Sequence, residues 1–477
     1  MRQPTVHRRP RAALALVAAA AATAALLAPA TPAAAATPPV TSYSGALPNG
    51  TTWKADVPAN WNGTLLLYSH GYLPTFVGAP NLPQNAPSPE SAAALLAEGY
   101  ALTGSSYAAA GWALNTAPQD QLDTLAATIG AIGRRPHRVL AVGTSMGGLV
   151  TAKLAEIGAG RIQGALPTCG IVGGGAALGN YQLDGAHAIA TLLAPGRQIK
   201  LAGFANLGEA FATTSALTAA VQQGQATPAG RARVALAAAL YQVPSSVPGL
   251  APPPSDPDAA ELALYQSLQQ ALPFVTPGRF DIETAMGGNP SWNTGVDYRR
   301  LLARAADRGT VRALYRAAGL SLDADLRTLT ATADVAADPG AVRRIFATSV
   351  PSGRVRMPVL SVHTTSDLLV PVQHEDAYRD AVTHAGRAGL LRQAFVARQG
   401  HCSFTTAELV AAIHALDHRV ATGRWDGVAT TEALQREAAR LGLGDAAYVH
   451  YRPRHLLRES FGGNNGFPFP HPSSRSA

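Results

Sequence analysis

Short blocks of consecutive apolar residues recur along the chain, and most of them break off into Gly, Ser, Asp or His. The blocks 64–68, 101–104, 138–142, 162–166, 358–363 and 393–397 have the length of strands and little alternation, the pattern of strands buried on both faces. Between them, apolar residues return at helical spacing over 121–132, 148–157, 374–383 and 406–421. Strand and helix in alternation predict a mostly parallel sheet with helices on both faces. Ligands of such sheets bind beyond the carboxyl ends of the strands. The rhythm lapses between 173 and 354, where Ala and Leu dominate and a Gly/Asn-rich stretch runs from 287 to 293. We read this block as a large helical cap inserted between strands. Core segments are then expected at 37–172 and 355–460, with a flexible tail at 461–477.

Of the 477 residues, 47% are hydrophobic and 14% charged, which suffices for a large core and excludes a disordered chain. The net charge of +8 is carried almost wholly by arginine, since lysine occurs only at 54, 153 and 200. Arg2, Arg8, Arg9 and Arg11 fall in the first 36 residues, which hold no acid. An apolar run follows them over 12–27, then small residues ending Ala34-Ala35-Ala36. This is the layout of a secretory signal peptide, with cleavage expected near Ala36-Thr37. The remaining charge is mild and dispersed, so no nucleic-acid partner is expected. No later segment is apolar and long enough for stable membrane insertion. A soluble, secreted mature protein is expected. Its two cysteines, Cys169 and Cys402, would meet an oxidising environment that favours pairing.

The chemistry is carried by Gly143-Thr144-Ser145-Met146-Gly147. This G-x-S-x-G follows the apolar stretch 139–142 directly and opens a helical one. A nucleophilic serine presented on a strained turn needs that strand–turn–helix context, with small residues because the turn is crowded. Serine needs a base, and the base an orienting acid. Asp367 stands just past the block 358–363. His401 follows Gly400 after the block 393–397. Asp184 is the second candidate for the acid. The backbone N–H of Met146, and that of Tyr72 after His70-Gly71, are the candidate oxyanion donors. His70 is expected to pack under that loop and fix its shape.

In this order, residues 143–147, His70-Gly71, Asp367 and His401 resemble the α/β-hydrolase superfamily, over about 60–170 and 355–425. The resemblance implies the α/β-hydrolase fold and a serine hydrolase working through an acyl-enzyme. Within the superfamily, the His401-Cys402 pair is similar to tannase- and feruloyl-esterase-like enzymes. There a cysteine after the catalytic histidine is bonded to one just before the serine. Thr144 holds that second position here, so Cys169, at the end of the next strand, is expected to bond Cys402 instead. No metal or cofactor is called for, and no H-E-x-x-H, C-x-x-C or phosphate-binding glycine loop occurs. The expected substrate is a carboxylic ester, from a small molecule or a polymer. A secreted peptidase or aminopeptidase is the alternative. It would need a fixed anion for the substrate's ammonium, for which Asp281, Glu283 and Glu209 are candidates. Trp112, Trp292 and Tyr298 either line a pocket or pack in the core.

Overall fold

The computed structural model describes residues 38–246 and 255–458. The signal peptide expected at 1–36 and the tail expected at 461–477 lie outside the described residues. Among the described residues, nine strands form one sheet: β1 (Val40–Ala46), β2 (Thr52–Pro58), β3 (Thr64–Ser69), β4 (Ala101–Ser105), β5 (Arg138–Thr144), β6 (Gly164–Thr168), β7 (Val359–Ser366), β8 (Leu391–Gln399) and β9 (Tyr448–Val449). Their spatial order is β1-β2-β4-β3-β5-β6-β7-β8-β9. From β4 to β8 every neighbour is parallel, while β1, β2 and β9 pair antiparallel at the edges. This order, with a serine turn after the central β5, is that of the α/β-hydrolase fold.

Successive side chains of each inner strand feed two cores. Leu65 and Leu67 of β3 join Val139 and Ala141 of β5 on one face. Leu66, Tyr68, Leu140 and Val142 pack on the other. Both faces are apolar because both are covered. On the first lie α2 (Ala117–Ile132), α3 (Met146–Ile157) and α12 (His374–His384). On the second lie α1 (Pro89–Ala97), α13 (Thr406–Thr422) and α14 (Thr431–Leu441). A capping box between Thr405 and Glu408 fixes the start of α13 just after the His401 loop.

Between β6 and β7 stand eight helices among the described residues. They are α4 (Gly175–Leu193), α5 (Leu207–Gly224), α6 (Pro228–Tyr241), α7 (Pro257–Met286), α8 (Tyr298–Arg304), α9 (Arg308–Ala317), α10 (Leu322–Ala331) and α11 (Pro339–Ser349). The longest, α7, carries Pro273 and Pro277 inside it, each removing a backbone donor where the helix passes over the site. The chain returns to the sheet through 350–358 without a helix. That leg is fixed by Lys153 Nζ on the Val350 carbonyl (3.3 Å), Gly353 N–H on Glu156 (2.8 Å) and Arg356 N–H on the Ala155 carbonyl (2.9 Å).

The structure corrects the sequence reading at the margins. β6 begins at Gly164 rather than 162, because Ile162 turns inward below Gly158 and does not join the ladder. The edge strands β1, β2 and β9 were not expected at all. β1 is exposed at six of its seven positions, so it carries no apolar pattern to read.

Candidate active site

Ser145 follows β5 and is the N-cap of α3, with φ 61° and ψ −121°. A residue with a side chain is strained there, and the surrounding packing holds it. The two glycines of the motif permit the turn. A Cβ on Gly147 would lie 1.9 Å from the Ser69 carbonyl oxygen, and one on Gly143 would lie 2.1 Å from the Gly147 carbonyl. The Ser145 N–H donates to the Thr168 carbonyl of β6 at 3.0 Å, tying the turn to the next strand.

The Ser145 hydroxyl donates to Nε2 of His401 at 2.7 Å, and His401 Nδ1–H donates to Asp367 Oδ2 at 2.7 Å. The other Asp367 oxygen accepts the N–H groups of Leu369 and Val370, each at 2.9 Å. Burial acts to raise the Asp367 pKa, but His401, His363 and the Val370 amide outweigh it and hold the carboxyl below its usual value. The structure thus joins Ser145, His401 and Asp367 in one hydrogen-bonded row, each side chain held at the carboxyl end of its own strand.

Behind Asp367 lies a bed of buried ionisable groups that sequence reasoning missed. His363 Nε2 lies 3.7 Å from Asp367 and donates to the Val370 carbonyl at 2.9 Å, while its Nδ1 faces Glu375 at 3.3 Å. Burial alone would lower its pKa, yet the Glu375 and Asp367 carboxylates raise it. His374 differs. Burial, reinforced by the neighbouring His363, pushes it down to about 3. As a neutral ring its Nδ1 accepts the Gly173 N–H at 3.0 Å. His363 reads in sequence as the end of an apolar block, and only the docking of α12 brings Glu375 to it.

The loop after β3 passes against Ser145, since a Cβ on Gly71 would lie 3.9 Å from Ser145 Oγ. His70 is buried beneath this loop, stacked on Tyr107 with centroids 4.0 Å apart, and accepts the Tyr107 hydroxyl on its carbonyl. Tyr72 lines the cleft with Ser145, and Met146 is buried as the first residue of α3. Cys169 and Cys402 are bonded, with Cα atoms 5.3 Å apart, so β6 is stapled to the His401 loop.

Above Ser145 and His401 is a cavity of about 100 Å³. Its wall is apolar and partly aromatic, with Trp112, Ile171 and Leu178 facing Phe274, Val275 and Ile282 of α7. The other two aromatic candidates lie elsewhere. Tyr298 donates its hydroxyl to Asp184 at 2.9 Å, and the Trp292 ring stacks under the Arg458 guanidinium. Asp184 pairs with Arg458 through both oxygens at 3.1 Å, so it is not the partner of His401. The three proposed ammonium anchors are also engaged. Asp281 accepts the hydroxyls of Tyr72 and Thr75 and the Thr75 N–H, linking the β3 loop to α7. Glu283 accepts the N–H groups of Gly203 and Phe204, and Glu209 pairs with Lys200 on the surface.

Two groups of side chains among the described residues have metal-like spacing. In Cys169, His401 and Cys402 both sulfurs are already in the disulfide. In Asp376, Asp380 and His455, Arg379 pairs with both carboxylates. Neither group offers a ligand set.

No protein-family model matches the chain. The o-phthalyl amidase of Xanthobacter agilis is 30% identical over 422 residues, covering 80% of this chain and 87% of the amidase. Among solved structures, an esterase from Aspergillus oryzae aligns with a TM-score of 0.37 at 14% identity, over 81% of this chain and 80% of its own. Feruloyl esterase B from Aspergillus oryzae gives 0.37 at 12% identity, again over 81% and 80%.

Proposed function

The chain belongs to the family of the o-phthalyl amidase of Xanthobacter agilis, within the α/β-hydrolase superfamily of serine hydrolases, and from that premise we propose that it cleaves an ester or amide of an aromatic acyl group. The observation that carries this reading is the row of hydrogen bonds from Ser145 through His401 to Asp367, opening on an apolar cavity.

Ser145 Oγ attacks the substrate carbonyl as His401 Nε2 takes its proton. Asp367 keeps the imidazole oriented and stabilises the imidazolium. The Met146 and Tyr72 N–H groups receive the developing oxyanion. His401 then returns the proton to the leaving alcohol or amine, and an acyl group remains on Ser145. Water, deprotonated by the same histidine, releases the acid. The cavity has room for about one ring, which favours a benzoyl-sized acyl group over a long chain. Among the described residues, each acid offered as an ammonium anchor already has partners, which speaks against an aminopeptidase. Export is supported by the pattern of residues 1–36 and by the disulfide.

A fluorophosphonate probe followed by peptide mapping tests the nucleophile. Labelling is expected on Ser145, and Ser145→Ala is expected to lower kcat by about 10⁴-fold or more. A label elsewhere would overturn the assignment. Preference for aminoacyl-p-nitroanilides over aryl esters and amides would overturn the substrate class.

A further inference from the structure

Both ring nitrogens of His363 face oxygen acceptors. Nε2 meets the Val370 carbonyl at 2.9 Å and lies 3.7 Å from Asp367 Oδ2, while Nδ1 meets Glu375 Oε1 at 3.3 Å. The other neighbours of Glu375 hold it as an acceptor too. The Ser361 hydroxyl donates to Oε1 at 2.7 Å, and the Gln393 amide nitrogen donates to Oε2 at 2.6 Å. That nitrogen is fixed as the donor because it also meets the Glu375 backbone carbonyl, at 2.7 Å. A neutral imidazole has one N–H, so it would leave two acceptors facing each other on one side of the ring. With both Glu375 oxygens accepting, the second proton belongs to His363.

The groups around this charge come from several elements. His363 and Glu375 are fully buried, and each is the other's ionic partner. Burial works against the His363 charge, and the Glu375 and Asp367 carboxylates outweigh it. His374, beside Glu375 on α12, is neutral, its Nδ1 accepting the Gly173 N–H and its Nε2 lying 3.3 Å from the Tyr181 hydroxyl of α4. Tyr378 of α12 stays a neutral phenol, held so by burial and then by Glu156 and Glu375.

Asp367 Oδ2 thus has an imidazole on either side, His401 at 2.7 Å and His363 at 3.7 Å. Val370 links His363 to the acid, since its N–H donates to Asp367 Oδ1 and its carbonyl accepts from His363, each at 2.9 Å. We propose that His363, doubly protonated and paired with Glu375, is a positioning residue for the hydrolysis that pins the acid turn through Val370 and keeps Asp367 an anion throughout turnover. The proposal rests on the Ser145 hydrolase reading above and extends it one layer beneath the acid. A fixed positive charge behind Asp367 opposes transfer of the His401 proton to the carboxylate while the imidazolium forms. It also offsets part of the negative charge that His401 faces, which extends activity toward acid.

Labelling the histidines of the intact protein with 15N reports the protons on each ring. The His363 signals are identified by their loss in His363→Gln. Should that variant not fold, His363→Gln/Glu375→Gln serves, because it leaves no buried carboxylate without a partner. Both His363 nitrogens are expected to carry protons at pH 7.5, and one bare nitrogen there overturns the proposal. The second readout is kcat and KM for p-nitrophenyl acetate against pH, in wild type and the double variant. The double variant's kcat is expected to fall about tenfold to a hundredfold with little change in KM. The acid limb of its kcat/KM profile should move up by about 0.5–1 pH unit. A slower enzyme with its acid limb unmoved would owe the loss to packing alone, and a limb moved to lower pH would contradict the sign of the charge. Either result overturns the proposal. Fluorophosphonate labelling separates it from the reading beneath it. A labelled Ser145 with a singly protonated His363 leaves the hydrolase reading standing, whereas an unlabelled Ser145 removes both.

Discussion

Replacing both Cys169 and Cys402 by alanine removes a staple whose two ends are 233 residues apart. In the chain-entropy account, closing a loop of that size withdraws about 5 kcal/mol of disorder from the unfolded chain. A second effect opposes this. Cys169 has φ 43° and Cys402 φ 56°, and a left-handed conformation costs a side-chain-bearing residue roughly 1–2 kcal/mol. Without the bond the two backbones are free to relax, recovering part of that strain but moving the neighbouring His401. The net loss is thus about 1–5 kcal/mol, with the lower values accompanied by the larger fall in kcat. Guanidinium unfolding followed by circular dichroism measures the first, and ester turnover the second. Cys402→Gly in the Cys169→Ala background separates them, because glycine adopts the left-handed region freely. It should regain stability without regaining kcat. An alanine double variant with the wild-type unfolding midpoint and the wild-type kcat would refute the reasoning.

His374 has a folded pKa of about 3 against 6.5 for an ordinary imidazole, so its unfolded form binds the proton first. The native state keeps its full stability above pH 6.5 and loses about 1.4 kcal/mol per unit below it, while His363, raised, acts in the opposite direction. His374→Gln should therefore flatten the stability curve between pH 6.5 and 4.5, and parallel curves for the two proteins would contradict this. Gly147→Ala places a methyl group against the Ser69 carbonyl and forces the end of β3 to move. A loss of about 3 kcal/mol or more and negligible activity are expected, and a variant with wild-type kcat and melting temperature would count against the turn geometry. Asp281→Ala deprives Tyr72 and Thr75 of their shared acceptor. It should cost about 2–4 kcal/mol and raise KM as the β3 loop loosens, whereas unchanged stability and KM would show the link to be idle.

The central sheet was legible because strands buried on both faces must be apolar at every position, as in Leu65-Leu66-Leu67-Tyr68. Ser145, Asp367 and His401 were legible because each follows such a strand. The edge was not, since β1 buries too little to leave a pattern. Even so, Asn49-Gly50 between β1 and β2, with Gly50 at φ 86°, is a hairpin signal that could have revealed it. The cavity wall was hidden for another reason. Gln182, Tyr241 and Ile282 come from three helices whose mutual rotation is set by packing, and no spacing along the chain encodes it. His363 and Glu375 were likewise obscured, because their pairing depends on how α12 docks against β7.

The insertion of eight helices between β6 and β7 also sets an order of assembly. Ser145 and His401 are 256 residues apart, so a ribosome delivers the histidine roughly 10–50 s after the serine. A chain that stops short of β7 leaves the β6 edge unpaired and Ser145 without its histidine partner. β7 and β8 close that edge, and Asp367 and His401 follow directly on them. In the proposed mechanism, hydrolytic power therefore depends on the last parallel strands, and a truncated chain carries Ser145 with no base to activate it.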